Sequence, residues 1–126
     1  MKEYEKWFKK AENDLLAIKI LISNEDVLAD ICCFHAQQAT EKYLKAYLVA
    51  RNIDFPKTHD LKYLLNACIK VNDKFSSIEQ NVFSLITYAI TPRYPDEIDE
   101  LTIEDANEAF NNATLIQTFI LKHFFE

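Results

Sequence analysis

The 126-residue chain contains no glycine at all. Glycine takes positive φ without a Cβ clash, so its absence removes the usual corner of tight β-hairpins. It also removes the backbone that phosphate loops and dinucleotide-binding turns wrap around their ligands. Hairpin-rich folds, P-loops and dinucleotide fingerprints are therefore disfavoured together. The three prolines, Pro56, Pro92 and Pro95, leave long stretches in which helix can propagate.

Those stretches carry a helical period. Tyr4, Trp7, Phe8, Ala11, Leu15, Ile18 and Ile22 recur at the three-to-four spacing of one buried face, predicting a first helix over Glu3–Ser23. Asn24 or Asp26 can cap a second over Val27–Arg51, about 37 Å long at the rise of an α-helix. Pro56 then marks a loop, because it disfavours helix at Phe55. Thr58 is the expected N-cap of a third helix carrying Leu61, Leu64, Leu65, Cys68 and Ile69. Ser76 with Glu79, or Ser77 with Gln80, has capping-box spacing for a fourth, which Pro92 and Pro95 end. Thr102 with Asp105 opens a fifth that runs to about Phe125. The reading is all-α, an up-and-down bundle of about five helices forming a single domain over residues 1–126.

Charge narrows the function. The net charge of −6 makes strong non-specific binding to nucleic acid unfavourable, since that binding comes from Lys and Arg displacing counterions. Its distribution is uneven. From Tyr94 to Leu121 there are seven acidic residues and no Lys or Arg, whereas Gln37–Lys74 holds seven basic residues against four acidic ones. Cys32, Cys33 and Cys68 are odd in number and form no CxxC, so they read as buried apolar residues, neither disulfides nor zinc ligands. No signal segment or long apolar run is visible, which makes the expected location cytoplasmic, with no membrane association.

The second helix is the informative one. Cys32, Cys33, Ala36, Tyr43, Leu44, Tyr47 and Leu48 fall on one broad side. His35, Gln38, Lys42 and Lys45 follow one another at spacings of 3, 4 and 3 on the other, with Glu41 beside them. A solvated face with ordinary pairs such as Glu41–Lys45 is the plain alternative. Ile31, Phe34 and Val49 border the strip, and a solvated face has no need of them, whereas a groove or an oligomer seam does. Asp14 of the first helix sits where it could meet Lys42 or Lys45.

Two further places hold candidate chemistry. Lys57, Thr58 and His59, at the start of the third helix, could hold a phosphate or carboxylate through free amides and the helix dipole. Arg93, framed by Pro92 and Tyr94-Pro95, could bind such a group with both guanidinium nitrogens, or pair with the acidic run after it. No Ser-His-Asp, Cys-His or HExxH arrangement is present, so no catalytic residue, metal ligand or cofactor is assigned.

The run Phe34-His35-Ala36-Gln37-Gln38-Ala39-Thr40-Glu41-Lys42-Tyr43-Leu44-Lys45-Ala46-Tyr47-Leu48 closely resembles the second-helix signature of HEPN domains. Thr58-His59-Asp60-Leu61 is similar to the family's His-Asp-Leu loop, and Arg93-Tyr94-Pro95-Asp96 to its Arg-Tyr-Pro segment. Ala11-Glu12-Asn13-Asp14-Leu15 of the first helix also fits, so the resemblance spans essentially the whole chain. It implies a helical bundle that pairs as a homodimer, a nucleotide or phosphate-bearing ligand, and a minimal nucleotidyltransferase partner in a toxin–antitoxin-like pair. Toxic members are metal-independent ribonucleases with an Arg followed four to six residues later by His. Here Arg51 precedes His59 by eight positions, and Arg93 has no histidine until His123. The expected function is therefore a non-catalytic HEPN module, with His35, Gln38, Lys42, Lys45, His59 and Arg93 as ligand-binding residues. A ribonuclease toxin and a purely structural dimerisation adaptor are the alternatives.

Overall fold

The computed structural model describes residues 1–23, 28–90 and 101–126. These contain five α-helices and no strand: α1 (Glu3–Ile22), α2 (Ala29–Ala50), α3 (Leu61–Val71), α4 (Glu79–Ile90) and α5 (Ile103–His123). A 3-10 segment, Asp73–Ile78, leads from α3 into α4. The all-α bundle expected from the periodicity is what the chain forms. None of its described helices is long and apolar enough to cross a membrane.

The bundle is built around α2, which packs on α1, α3, α4 and α5. It can do so because much of its surface is small. Ala36, Ala39 and Ala46 are fully buried, as are Ala106, Ala109 and Ala113 of α5 and Ala11 of α1. Alanine lets helix axes approach closely while keeping the highest helix propensity, so close packing needs no glycine.

At one end larger groups fill the space. Tyr47 packs on Phe75 with ring centres 4.5 Å apart, Phe75 on Phe119 at 5.0 Å, and Phe8 on Phe124 at 4.8 Å, in edge-on or tilted geometries that aromatic rings favour. Tyr43 is buried beside them, and its hydroxyl accepts a 2.7 Å hydrogen bond from the Gln117 amide. Burial pushes that hydroxyl up to about 12. The three cysteines are buried as expected, and burial also raises the Cys32 and Cys68 thiols.

Helix ends followed the sequence less closely. Thr102 and Asp105 form the expected capping box. Asp60, not Thr58, caps α3: its carboxylate accepts from the Tyr63 amide, while the Thr58 hydroxyl accepts from the Asp60 amide. Neither Ser76 nor Ser77 opens a capping box, because both lie in the 3-10 segment, where the Asn72 side chain accepts from the Lys74 amide. The second helix begins at Ala29, two residues later than expected, with Leu28 at its N-cap and no side-chain cap. Asn24 and Asp26 lie outside the described residues.

The C-terminus of α2 shows how a chain without glycine turns a corner. Asn52 has φ of 58°, the only positive value among described residues. Its amide donates to Val49, and the Ile53 amide to Leu48, each at 3.0 Å. This is the paired closure of a Schellman motif, with asparagine in the position that glycine usually takes. An asparagine tolerates the left-handed region better than other residues with a Cβ. Asn52→Ala should therefore lower the unfolding free energy by about 1–2 kcal/mol, and Asn52→Gly should leave it equal or higher. Urea titrations of the two variants check the order; a more stable alanine variant would contradict it.

Candidate functional site

The face of α2 between α1 and α3 gathers the charged residues of the strip, and two carboxylates organise it. Asp14 of α1 is buried at the helix boundary. It accepts from the Lys42 ammonium at 2.6 Å and from His35 Nδ1 at 2.8 Å. Glu41 of α2 is also buried. It accepts from the Lys45 ammonium at 3.1 Å and from His59 Nδ1 at 2.8 Å. Each carboxylate thus holds one ammonium and one imidazole. A carboxylate can only accept, so each Nδ1 carries the proton and each Nε2 points away from its carboxylate.

The two halves differ in exposure. The Glu41 and Lys45 side chains are 5% and 8% exposed, and the Lys45 ammonium also lies over the rings of Trp7 at 5.4 Å and Phe55 at 5.8 Å. This is no solvated i,i+4 pair: its charges are held by a carboxylate, an imidazole and two aromatic faces. His59 is the opposite case, with its side chain 83% exposed while its Nδ1 reaches down to the buried Glu41.

In front of Glu41 and His59 lies a cleft of about 580 Å³. Phe34, Leu61 and Ile86 supply its apolar lining, and Gln38, Asp60 and Lys62 add polar groups. Gln37 also lines it, but its amide nitrogen is committed to the Leu85 carbonyl at 2.7 Å, fastening α2 to α4. Gln38 makes no side-chain hydrogen bond within the described residues, so its amide keeps both donor and acceptor. The Asp60 carboxylate stands at the N-terminus of α3 and takes one of its first-turn amides, which makes that terminus less receptive to an anion than its sequence implied.

The fold therefore brings His35, Gln38, Lys42, Lys45 and His59 to one region, while Arg93 lies outside the described residues. Periodicity found the strip and set Asp14 where it could meet Lys42 or Lys45; the structure pairs it with Lys42 and with His35, while Lys45 goes to Glu41. Periodicity missed that Glu41 is buried and holds His59, because nothing local indicates which loop residue will close over a helix.

The HEPN domain family model matches residues 4–123. The chain belongs to the HEPN family. A Methanocaldococcus jannaschii protein named "Putative toxin MJ1304" is 30% identical over 127 residues, covering 88% of this chain and 82% of that protein. The crystal structure of ST0689, an archaeal HEPN homologue, superposes with a TM-score of 0.75 at 30% identity, covering 98% of this chain and 99% of that one.

Within this HEPN chain, Arg51 serves the fold. Its guanidinium donates to the carbonyls of Phe124 and Glu126 and stacks 4.4 Å from the Tyr47 ring centre, tying the end of α2 to the end of α5. His123 belongs to the same end: it packs 4.5 Å from the Phe119 ring and bonds the Glu126 carboxylate at 2.9 Å. That contact, with Lys74, holds the Glu126 carboxyl below its usual range.

Glu41 is the residue on which the site's geometry turns. Glu41→Ala leaves the enclosed Lys45 ammonium without its counter-charge and should cost about 3–5 kcal/mol of stability. His59→Ala removes a largely exposed partner and should cost no more than about 1 kcal/mol. Chemical denaturation of both variants measures the difference; equal, small losses would show that Lys45 is reached by water.

Proposed function

We propose that this chain is the HEPN member of a toxin–antitoxin-like pair: a non-catalytic homodimer that binds a nucleotide and partners a minimal nucleotidyltransferase. The observation that carries this reading is the cleft beside Glu41. A nucleobase is flat, apolar on its faces and polar at its edge. Phe34, Leu61 and Ile86 offer surfaces for such faces, and the unbonded Gln38 amide offers a donor and acceptor for such an edge. Lys62 and the outward Nε2 of His59 stand where a phosphate could be met. Lys42 and Lys45 then act behind the ligand, holding the carboxylates that set the histidines.

The homodimer is supported by Ile31 and Phe34, which are 41% and 54% exposed on the same helix as the strip. The absence of catalysis is supported by Arg51, whose guanidinium donates to the backbone oxygens of Phe124 and Glu126 just past α5 while His59 lines the cleft. The partner rests on the family and on the relative named as a toxin.

One observation favours a second reading, a metal-independent ribonuclease. The Glu41–His59 pair is a carboxylate orienting an exposed imidazole, an arrangement that suits general-base work.

Titration calorimetry with ATP, GTP and their monophosphates separates the two. On the first reading the wild-type chain binds at least one of them, and Gln38→Ala or His59→Ala weakens binding about tenfold, a loss of roughly 1.4 kcal/mol, with cooperative unfolding retained. No binding to any of the four would remove the ligand half, and a monomer in sedimentation would remove the dimer. Cleavage of cellular RNA by the wild type, lost in His59→Ala, would install the ribonuclease instead.

A further inference from the structure

A second concave surface lies between α4 and α5, and its chemistry is unlike that of the cleft. The two helices run antiparallel, as the Asn81–Asn112 hydrogen bond at 2.9 Å and the proximity of Tyr88 to Asp105 and Glu108 require. Between them is a groove of about 560 Å³ lined by polar and acidic residues, whose methylene groups also contribute to its surface. Gln80, Asn81 and Ser84 line it from α4, and Asn107, Asn111 and Asn112 from α5, with Glu104 and Glu108 among them. No aromatic, aliphatic or basic side chain lines it.

Solvation alone does not call for such a face. Glu, Lys and Gln would solvate it while favouring helix, whereas asparagine is among the poorer helix formers because its amide competes with the backbone. Three asparagines on one face of α5 therefore cost helix stability. The Asn81–Asn112 bond uses one pair to join the helices. The amides of Gln80, Asn107 and Asn111 make no hydrogen bond within the described residues.

Their spacing indicates what they could meet. Along a helix, four residues advance about 6 Å. In an extended chain, residues that point the same way repeat about every 6.6 Å. Asn107 and Asn111 thus match successive same-facing peptide units, and a side-chain amide can donate to a peptide carbonyl while accepting from its N–H. Glu104 and Glu108 have the same separation and match alternate side chains. They sit in the stretch from Tyr94 to Leu121, which holds seven acidic residues and no Lys or Arg. Glu108 also acts inward: with burial as the larger cause, it helps push the Tyr88 hydroxyl up to about 12. A carboxylate has lone pairs enough for both roles.

We propose that the α4–α5 groove holds an extended, lysine- or arginine-bearing segment of a partner protein. Its backbone is met by the amides of Gln80, Asn107 and Asn111, and its side chains by Glu104 and Glu108. Other polymers fit less well. A nucleic-acid strand brings phosphates against two carboxylates with no basic residue in the lining to offset them. A glycan finds no aromatic ring to stack on in the lining. The proposal is independent of the cleft, and either can fail without the other.

Fluorescence anisotropy of a labelled peptide of alternating lysine and threonine tests it on the intact chain. The wild type should bind this peptide and not its glutamate–threonine counterpart. Binding should fall about tenfold in Asn107→Ala/Asn111→Ala, in Glu104→Gln, and with a peptide N-methylated along its backbone. Replacing asparagine by alanine raises helix propensity, so the double variant should fold at least as stably as the wild type, which thermal unfolding verifies. No binding by the wild type would overturn the proposal. So would undiminished binding in the double variant, equal binding of the N-methylated peptide (which would reduce the groove to a merely acidic surface), or preference for a single-stranded oligonucleotide.

Discussion

The buried carboxylate of Glu41 constrains this structure more than any other single group. It is nearly inaccessible, yet it bonds both an ammonium on its own helix and an imidazole from the loop before α3. An ionised carboxylate can remain in such a place only if donors replace the water it has lost. Lys45 and His59 are those donors, and each is fixed by the requirement in turn. Lys45 is drawn inward against Trp7 and Phe55, and His59 is held at the mouth of the cleft. The charge that makes the interior of this face expensive is thus also what orients its outermost side chain. Asp14 repeats the arrangement one helix away, with Lys42 and His35. Together the two carboxylates neutralise most of the strip from within, so the cleft is approached past amide and imidazole groups and not past a row of bare ammonium ions.

This arrangement depends on helices that lie close together, and on a chain that makes its turns without glycine. Alanines on α1, α2 and α5 provide the closeness, and because alanine is the best helix former they add no propensity cost. The strained corner is delegated to Asn52. From that corner the chain proceeds through Phe55, which covers Lys45, to His59, which reaches Glu41. The conformation at the end of α2 therefore sets the position of the imidazole several residues later. Local backbone geometry and site geometry are two ends of one short loop.

Helix number and order could be read from the sequence because apolar spacing on α1, α3 and α5 reports burial on one side only. The strip on α2 was also legible as a strip. Its depth was not. Glu41 and Lys45 carry full charges, and composition treats such residues as surface, although partners from α1 and the loop before α3 enclose them. The helix starts were ambiguous for a different reason. Thr58 and Asp60 are both good caps, two residues apart, and only packing decides which one the helix begins after. Ser76 and Ser77 had capping spacing, but the short path from α3 to α4 winds them into a 3-10 turn before α4 begins. The alternative closure of α2 by asparagine could have been anticipated, since a chain lacking glycine must use Asn or Asp wherever it needs positive φ.

The charge distribution follows from the same division of labour. A net charge of −6 usually predicts a uniformly acidic surface, but this chain sorts its charges by task. On the α2 face basic and acidic groups alternate and cancel, because they are partly buried and a buried charge needs a partner. On α5 the carboxylates at Glu104 and Glu108 stand at a solvent-facing groove, where water screens them, although Glu108 also acts on the Tyr88 hydroxyl. Both faces have side-chain amides that make no hydrogen bond among the described residues, Gln38 on one and Asn107 and Asn111 on the other. Their surroundings give those amides opposite preferences: apolar walls and balanced charge suit a flat ligand with apolar faces, while a polar trough with excess negative charge suits an extended cationic chain. On the two proposals, one small bundle offers two recognition chemistries on faces that share α4, Ile86 lining one and Gln80, Asn81 and Ser84 the other, and the segregation of its charges would keep each from attracting the other's ligand.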